Sequence, residues 1–268
     1  MMLIPQEIIT SSQNPKVRQW LRLHKASERR QSGLALVEGS REVTQAIAAG
    51  HIVENLIIAP MLLNPDSKHV IATVQDKFPV TTVGAEVFAR LAYRDQSDGI
   101  LAVVRTQTTL LENLILGSRP LVIVLEAVEK PGNLGAILRT ADAAAADAVI
   151  VCDPTTDLFN PNVIRSSLGC IFTTQVVTCT SHEALVWLRA KRIKIVAAAL
   201  GALKNCYEAD FKIPAAILMG TEAEGLSRFW VENADETVTI PMHGKADSLN
   251  VSVSTAILVF EALRQRFY

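Results

Sequence analysis

An uninterrupted apolar segment in the middle of the chain restricts the fold most strongly. Residues 121–128, LVIVLEAV, contain a single charged side chain and show no alternation of apolar and polar positions. Strands of this kind are typical of parallel sheets, because helices cover both faces of such a sheet. Similar short runs recur at 148–153, 194–200 and 215–220, with helix-like segments between them. The sequence therefore predicts an α/β domain with a parallel sheet over residues 121–268.

A second α/β pattern precedes this domain. Residues 33–105 alternate between strand-like and helix-like segments, and the segment 69–80 is predicted to be helical. Gly50 stands where a glycine commonly ends a helix. Residues 106–120 have no clear period and end in Gly-Ser-Arg-Pro, which is typical of a connection. We therefore predict a small α/β domain over residues 1–105, a linker over 106–120 and the larger domain after it.

Composition restricts the class of protein further. The net charge is −1, so the chain has no global basic character, and a nucleic-acid partner would have to be met by local patches. No apolar run approaches the ~20 residues of a membrane-spanning helix. The first residues also lack the apolar core of a signal peptide. We expect a cytoplasmic protein that makes no contact with a membrane.

The first thirty residues carry a local excess of positive charge. They contain six Lys and Arg residues against Glu7 and Glu28. Two interpretations of this pattern remain open. The segment could be a helix whose charges are simply exposed to water, or an arm that binds RNA phosphates. Only the second interpretation predicts RNA binding that weakens as salt is raised.

Polar loops follow three of the predicted strands of the larger domain, at residues 129–139, 220–227 and 240–250. In a parallel sheet these loops share one edge, so their convergence predicts a binding site there. Individual polar residues have a simpler explanation as helix caps. Asn133 is expected at or near the N-cap of the helix that starts in the first loop, and Ser248 or Asn250 is also a good N-cap for the last helix.

The last helix is predicted to begin near Leu249. Its apolar positions recur at steps of three and four residues, which predicts one buried face. That face contains Val253, Ala256, Ile257, Phe260, Leu263 and Phe267.

Several common kinds of site are disfavoured by the motifs that the chain lacks. The first polar loop has neither the glycine spacing of a dinucleotide-binding motif nor the lysine of a P-loop. The five histidines are scattered and no metal-ligand spacing is present, so we predict no catalytic metal. A GxSxG nucleophile motif is absent as well.

Three segments of the larger domain resemble the motifs of the SpoU/TrmH-type RNA ribose methyltransferases of the SPOUT class. They are PGNLGAILRTAD at 131–142, MGTEAEGLS at 219–227 and IPMHGKADSLNVSVSTAI at 240–257. Their order and separations match the family over residues 121–264. ITSSQNPKV and LVEGSREV, near the N-terminus, are similar to the substrate-binding domain that precedes the catalytic domain in one branch. Lys130 departs from the pattern, because many members have Asp before the proline of the first motif.

The resemblance implies a fold, a reaction and a set of residues. The fold is a SPOUT-type parallel sheet with a deep trefoil knot that binds S-adenosylmethionine, in a protein that works as a homodimer. The reaction is methyl transfer to a ribose 2′-hydroxyl of RNA, with ribosomal RNA expected and transfer RNA as an alternative. The catalytic positions are Asn133, Arg139, Glu222, Ser248 and Asn250. The cofactor-binding positions are Gly220, Ile240, Met242 and Leu249. The expected RNA-binding residues are Lys16, Arg18, Arg22, Arg29, Arg30 and Lys130.

Elementary chemistry suggests a role for each catalytic position. A ribose hydroxyl is a poor nucleophile until its proton is withdrawn. A guanidinium stays protonated at accessible pH, so we expect Arg139 to bind phosphate and to stabilise the developing negative charge rather than to accept the proton. Glu222 is expected to orient Arg139, and the remaining three residues to position the ribose and the methyl donor by hydrogen bonds.

Two other functions remain open. The first is a protein of the same fold that binds RNA without methylating it, which the presence of Asn133, Arg139, Glu222 and Asn250 disfavours. The second is a doubly wound enzyme that uses a nucleotide cofactor on a small molecule. The missing glycine motif and the basic first thirty residues disfavour that alternative.

Overall fold

The computed structural model of the chain describes residues 7–74 and 76–268. Contacts divide it into two compact units. The first contains the described residues up to Gln107 together with Leu158–Thr173, and the second contains Thr108–Asp157 and Thr174–Tyr268. Residues 158–173 were predicted as part of the larger domain, but they belong to the same compact unit as the N-terminal residues.

Strands and helices alternate through most of the described chain. The strands are β1 (Ile8–Ile9), β2 (Leu34–Glu38), β3 (Val53–Ile58), β4 (Val80–Val83), β5 (Ile100–Arg105), β6 (Leu121–Glu126), β7 (Ala148–Cys152), β8 (Val176–Cys179), β9 (Lys194–Ala198), β10 (Lys204–Asn205), β11 (Ala215–Met219) and β12 (Glu236–Thr239). The α-helices are α1 (Pro15–Arg22), α2 (Ala26–Ser32), α3 (Ser40–Ala48), α4 (Pro65–Val74), α5 (Ala85–Leu91), α6 (Pro131–Ala143), α7 (Pro161–Ser166), α8 (Cys170–Thr173), α9 (Ser181–Ala190), α10 (Arg228–Asn233) and α11 (Val251–Phe267). Short 3-10 helices lie at Pro60–Leu62, Leu111–Asn113 and Cys206–Glu208.

The first unit is built on a five-stranded mixed sheet with the order β1-β4-β3-β5-β2. β5 runs antiparallel to β2 and β3, whereas β4 runs parallel to β1 and β3. The sequence patterns predicted a helix through residues 69–80, but α4 ends at Val74 and β4 begins at Val80. Pro79 cannot continue a helix, and the β-branched run after it favours a strand.

The second unit contains a seven-stranded sheet with the order β10-β12-β9-β11-β6-β7-β8, and every pair in it is parallel. All residues of β6, β7 and β11 are buried, as continuous apolar strands covered on both faces require. The predicted parallel α/β sheet is therefore confirmed. β12, β9, β11 and β6 are neighbours, so the loops that follow them leave the sheet at the same edge.

The apolar face predicted for the last helix is wrong, because none of its six residues is fully buried. α11 packs against α6 and β11, and it buries Val251, Leu258, Val259 and Ala262. Three residues of the predicted face remain open, because Val253 is 47%, Phe260 is 50% and Phe267 is 72% exposed. The helix is apolar on more than one side, and a periodic pattern alone does not reveal which side the rest of the chain covers.

None of the helices in residues 7–74 and 76–268 combines the length and apolar character needed to cross a bilayer.

Candidate active site

Three side chains from the three predicted polar loops meet at the edge of the parallel sheet. Asn133 donates a hydrogen bond from Nδ2 to Oε1 of Glu222, and Asn250 donates from Nδ2 to Oδ1 of Asn133 over 3.1 Å. Lys130 Nζ lies 3.1 Å from the other carboxylate oxygen of Glu222. Residues 89 and 117 positions apart in sequence are thereby brought into one cluster, which we call the amide–carboxylate cluster.

The start of α6 holds Asn133. Lys130 is the N-cap residue and Pro131 occupies the first helical turn, where its missing N–H and fixed φ favour helix initiation. Asn133 was expected at or near the N-cap, but it lies inside the first turn, where its N–H bonds to the carbonyl of Lys130. The positive end of the helix dipole thus lies close to the Glu222 carboxylate and favours it.

A tight turn after β11 holds Glu222. Thr221 and Gly225 close this turn with two backbone hydrogen bonds of 2.9 and 3.1 Å. Gly220 is buried directly beneath it, and a Cβ at this position would overlap the backbone of Gly225 and Leu226. The turn therefore requires glycine at position 220, because its own backbone occupies the space of a side chain.

Asn250 is the N-cap residue of α11. Its Oδ1 accepts hydrogen bonds from the N–H of Ser252 at 2.9 Å and from the Ser252 hydroxyl at 2.6 Å. These bonds leave the Nδ2 amide of Asn250 to donate to Asn133. Asn250 can therefore cap the helix and belong to the cluster at the same time, because its oxygen accepts the capping bonds and its NH₂ group donates to Asn133. Ser252 supports the cluster through Asn250, a role that its N-x-S spacing at a helix start would have indicated.

Arg139 and Ser248 lie outside the amide–carboxylate cluster. Both side chains are exposed, and neither makes a hydrogen bond or ion pair within residues 7–74 and 76–268. The expected contact by which Glu222 would orient Arg139 is absent from this part of the chain, since Asn133 and Lys130 engage the Glu222 carboxylate instead. Arg139 therefore presents a free guanidinium to a ligand.

The expected cofactor-binding positions lie on the loops after β11 and β12. Ile240 and Met242 are half-buried and Leu249 is 39% exposed, so apolar side chains are accessible at this edge. In the described chain, no backbone N–H of residues 242–249 donates to another backbone carbonyl outside the regular elements. Open backbone donors beside apolar side chains suit a nucleoside that carries an amino-acid tail, because such a ligand has both an apolar ring system and many polar atoms.

The expected RNA-binding residues differ in their accessibility. Lys16, Arg18, Arg22 and Arg30 are exposed, although Arg22 pairs with Glu28 at 2.9 Å. Arg29 is a correction, because it is only 3% exposed and donates from Nη1 to the carbonyls of Leu23 and His24. Its guanidinium serves the fold of the first unit and is not available to a phosphate.

Lys130 presents its ammonium at the rim of the site, with 69% of its side chain exposed. No group of three or more His, Cys, Asp and Glu side chains in residues 7–74 and 76–268 has the arrangement of a metal site.

Two known families match separate parts of this chain. Residues 120–260 match the model of the SpoU rRNA Methylase family, and residues 14–102 match that of the MRM3-like substrate binding domain. The chain is 30% identical over 252 residues to the 23S rRNA (guanosine(2553)-2'-O)-methyltransferase RlmP of Bacillus subtilis (strain 168), a match that covers 94% of this chain and 97% of that protein.

Solved structures give the same result. A crystal structure of an RNA 2'-O ribose methyltransferase superposes with a TM-score of 0.88 at 39% identity, covering 98% of this chain and 100% of the other. The SpoU methyltransferase AviRb from Streptomyces viridochromogenes, in complex with the cofactor AdoMet, gives a TM-score of 0.88 at 29% identity over 95% and 98% of the two chains. Since the first family model alone spans more than half of the 268 residues, this chain belongs to the SpoU rRNA methylase family.

Proposed function

We propose that this protein transfers a methyl group from S-adenosylmethionine to a ribose 2′-hydroxyl of ribosomal RNA. The observation that carries the proposal is the amide–carboxylate cluster, which joins all three family motifs through the side chains of Asn133, Glu222 and Asn250. Ribosomal rather than transfer RNA is favoured by the relatives, because RlmP of Bacillus subtilis and an enzyme of Streptomyces viridochromogenes are both named as 23S rRNA 2'-O-methyltransferases.

The residues that would hold the methyl donor are Gly220, Ile240, Met242 and Leu249. The apolar side chains would contact the ring system, and the open backbone of residues 242–249 would bind its polar atoms. When bound, S-adenosylmethionine supplies an electrophilic methyl group on a positively charged sulfur.

Each polar residue of the site either binds the RNA or orients a side chain that does. Glu222 accepts the hydrogen bond of Asn133, which fixes the orientation of that amide and turns its oxygen toward Asn250. The two amides and the exposed Ser248 position the ribose. Arg139 binds a phosphate bidentately and stabilises the negative charge that develops on the 2′-oxygen as its proton passes to solvent water and the methyl group leaves the sulfur.

The reaction is tested by incubating the purified protein with labelled S-adenosylmethionine and separate pools of unmodified ribosomal and transfer RNA. Nucleoside analysis should find a labelled 2′-O-methylnucleoside in the ribosomal pool. Label in transfer RNA alone would contradict the substrate. Cofactor binding without transfer to either pool would favour an RNA-binding protein that does not methylate.

We further propose that the protein is a homodimer in which a second copy covers the open face of α11. Phe260 and Phe267 are 50% and 72% exposed on this helix, and aromatic side chains are enriched in protein interfaces. Asn250 caps the same helix, so the dimer would form on an element that a site residue begins.

Replacing Phe260 by Asp is expected to convert the dimer to a monomer, because a charge at the centre of an apolar interface loses its hydration without gaining a partner. Light scattering after size exclusion measures the mass. The matched control is Val186→Asp on α9, since Val186 is similarly exposed, at 55%, and should leave the mass unchanged. Equal masses for all three proteins would contradict an interface at α11.

A trefoil knot and an N-terminal substrate-binding domain complete the proposal. Support for the knot comes from the resemblance and from the sheet order, in which the late strand β12 lies beside β9 while α11 returns to pack on α6. The domain over residues 1–105 would bind RNA through Lys16, Arg18, Arg22 and Arg30. Ribosomal RNA as the substrate implies a cytoplasmic location.

A further inference from the structure

Two cysteine side chains are neighbours at one end of the parallel sheet. Cys152 is the last residue of β7 and Cys179 is the last residue of β8, and the register of the two strands places them directly opposite each other. Residues paired in this way project their side chains from the same face of a sheet. Both cysteines are free thiols, and the two thiols are hydrogen-bonded to each other. The reaction proposed above makes no use of this pair, which we call the strand-end dithiol.

The separation of the two strands is compatible with a disulfide bond. Paired residues of neighbouring strands lie about 4.8 Å apart. The Cα atoms that a disulfide joins lie about 4.4–6.8 Å apart. The bond could therefore form between the strands as they stand in the sheet, with only a local adjustment of the two strand ends.

The two thiols differ in accessibility and in acidity. Cys152 is fully buried, whereas Cys179 is partly exposed. The Cys152 thiol and the backbone N–H of Ala184 donate hydrogen bonds to the Cys179 sulfur, and these bonds hold the pKa of Cys179 below the ordinary value of a thiol. Burial and the nearby carboxylates of Glu183 and Asp153 oppose this effect without cancelling it. Because the thiolate is the nucleophilic form, Cys179 is the thiol that reacts first with an electrophile.

We propose that the strand-end dithiol is a modification site at which hydroperoxides form a disulfide that slows methyl transfer. The Cys179 thiolate attacks an oxygen of the hydroperoxide and the O–O bond breaks. Cys179 becomes a sulfenic acid, and the remaining oxygen takes up a proton and leaves as an alcohol, or as water from hydrogen peroxide. The Cys152 sulfur then attacks the Cys179 sulfur, and its proton leaves with the displaced hydroxide as water. The hydroperoxide gains the two electrons that the two thiols lose.

A disulfide at this place would act on a loop of the candidate active site. The carbonyl of Cys152 accepts a hydrogen bond from the N–H of Ala127 over 2.9 Å, and Ala127 opens the loop that leads to Asn133. Closing the bond requires the two Cβ atoms to approach by about 1 Å, from the spacing of paired strands to that of a disulfide. The loop after β6 should shift with the end of β7. Small displacements of the groups that position a substrate slow a reaction strongly.

The thiol chemistry is tested on the full chain with stoichiometric hydrogen peroxide, and this test does not depend on methyl transfer. Free thiols are then blocked, and the digested protein is analysed by mass spectrometry without reductant. We expect two peptides joined through Cys152 and Cys179, which dithiothreitol should separate. The matched control is Cys206→Ala, because burial raises the pKa of the Cys206 thiol and its loss should not affect the bond. Free thiols at both strand-end cysteines after treatment would overturn the proposal, and so would a disulfide through Cys206 instead.

Two variants test the order of events. Cys152→Ser keeps a hydroxyl donor to Cys179 but removes the sulfur that closes the disulfide, so sulfenic acid should accumulate on Cys179 and be captured by dimedone. Cys179→Ser should leave Cys152 unoxidised, because Cys152 is fully buried. Dimedone on Cys152 in the second variant, or none on Cys179 in the first, would contradict the assigned order. Thermal unfolding checks that both variants remain folded.

The effect on catalysis is measured separately, because this part alone rests on the function proposed above. Oxidation should lower the transfer of labelled methyl groups to RNA about tenfold through the displaced loop, and dithiothreitol should restore it. Peroxide should not slow the Cys152→Ser variant, in which no bond joins the strands. A disulfide that forms without changing the transfer rate would overturn the effect on the enzyme. A protein that forms the disulfide but transfers no methyl group in either state would refute the proposed function and retain the modification site.

Discussion

Replacing Arg139 by alanine is expected to lower methyl transfer about a thousandfold and to leave S-adenosylmethionine binding unchanged. The guanidinium supplies charge to the 2′-oxygen only as the transition state forms, and removing one such donor typically reduces turnover by this order. The side chain is exposed and makes no hydrogen bond or ion pair in residues 7–74 and 76–268, so its loss should not disturb the fold. Single-turnover transfer and equilibrium dialysis of the cofactor measure the two quantities.

Two further variants define the role of Arg139. Arg139→Lys keeps the charge but loses the planar pair of donors, so it should recover only part of the lost rate. Arg228→Ala is the matched control, because Arg228 is also exposed and its side chain forms a surface ion pair with Glu232. Turnover near the normal rate in Arg139→Ala would refute both phosphate binding and charge stabilisation by this residue.

Replacing Gly220 by alanine is expected to reduce S-adenosylmethionine binding by about tenfold or more. The added Cβ would overlap the backbone of Gly225 and Leu226, and backbone cannot move aside as the end of a flexible side chain does. The turn that carries Glu222 must therefore shift, at a cost of about 1–3 kcal/mol for an overpacked site. Isothermal titration with the cofactor measures the loss.

Gly132→Ala is the control for that variant. A Cβ at Gly132 meets nothing within 4 Å, and the position lies in the first turn of α6. The control should bind the cofactor normally. Normal cofactor binding by Gly220→Ala would show that the turn adapts, and that residue 220 does not shape the cofactor site. The Gly220→Ala and Arg139→Ala variants therefore distinguish two defects. The first should bind S-adenosylmethionine poorly, and the second should bind it normally but transfer the methyl group slowly.

The parallel sheet and the meeting of its three loops were predictable from the sequence, because both follow from local patterns. An apolar run such as residues 121–128 indicates a strand covered on both faces, and parallel strands bring their following loops to one edge. The contacts made there were less predictable. Sequence spacing gave no indication that Glu222 bonds to Asn133 and Lys130, because side-chain partners depend on the exact position of each loop.

Burial was the other property that local patterns did not determine. The basic stretch at the N-terminus suggested that Arg29 meets solvent, yet it is buried and bonds to two carbonyls. The periodicity of α11 similarly identified apolar positions without revealing that Phe260 stays open. Glu38 appeared in the sequence only as part of a motif. That its carboxylate is buried and accepts hydrogen bonds from the N–H groups of Tyr93 and Arg94 is visible only once the fold is known.

Asn250 both caps α11 and bonds to Asn133, so the amide–carboxylate cluster stays intact only while the first turn of α11 stays folded. Local opening at a helix end requires far less free energy than global unfolding. If the first turn of α11 opens, the bond that the Ser252 N–H donates to Asn250 and the bond that Asn250 donates to Asn133 break together. Asn133 then loses a restraint on its amide. Hydrogen exchange at the Ser252 amide would thus report how often the cluster comes apart in solution, without any substrate present.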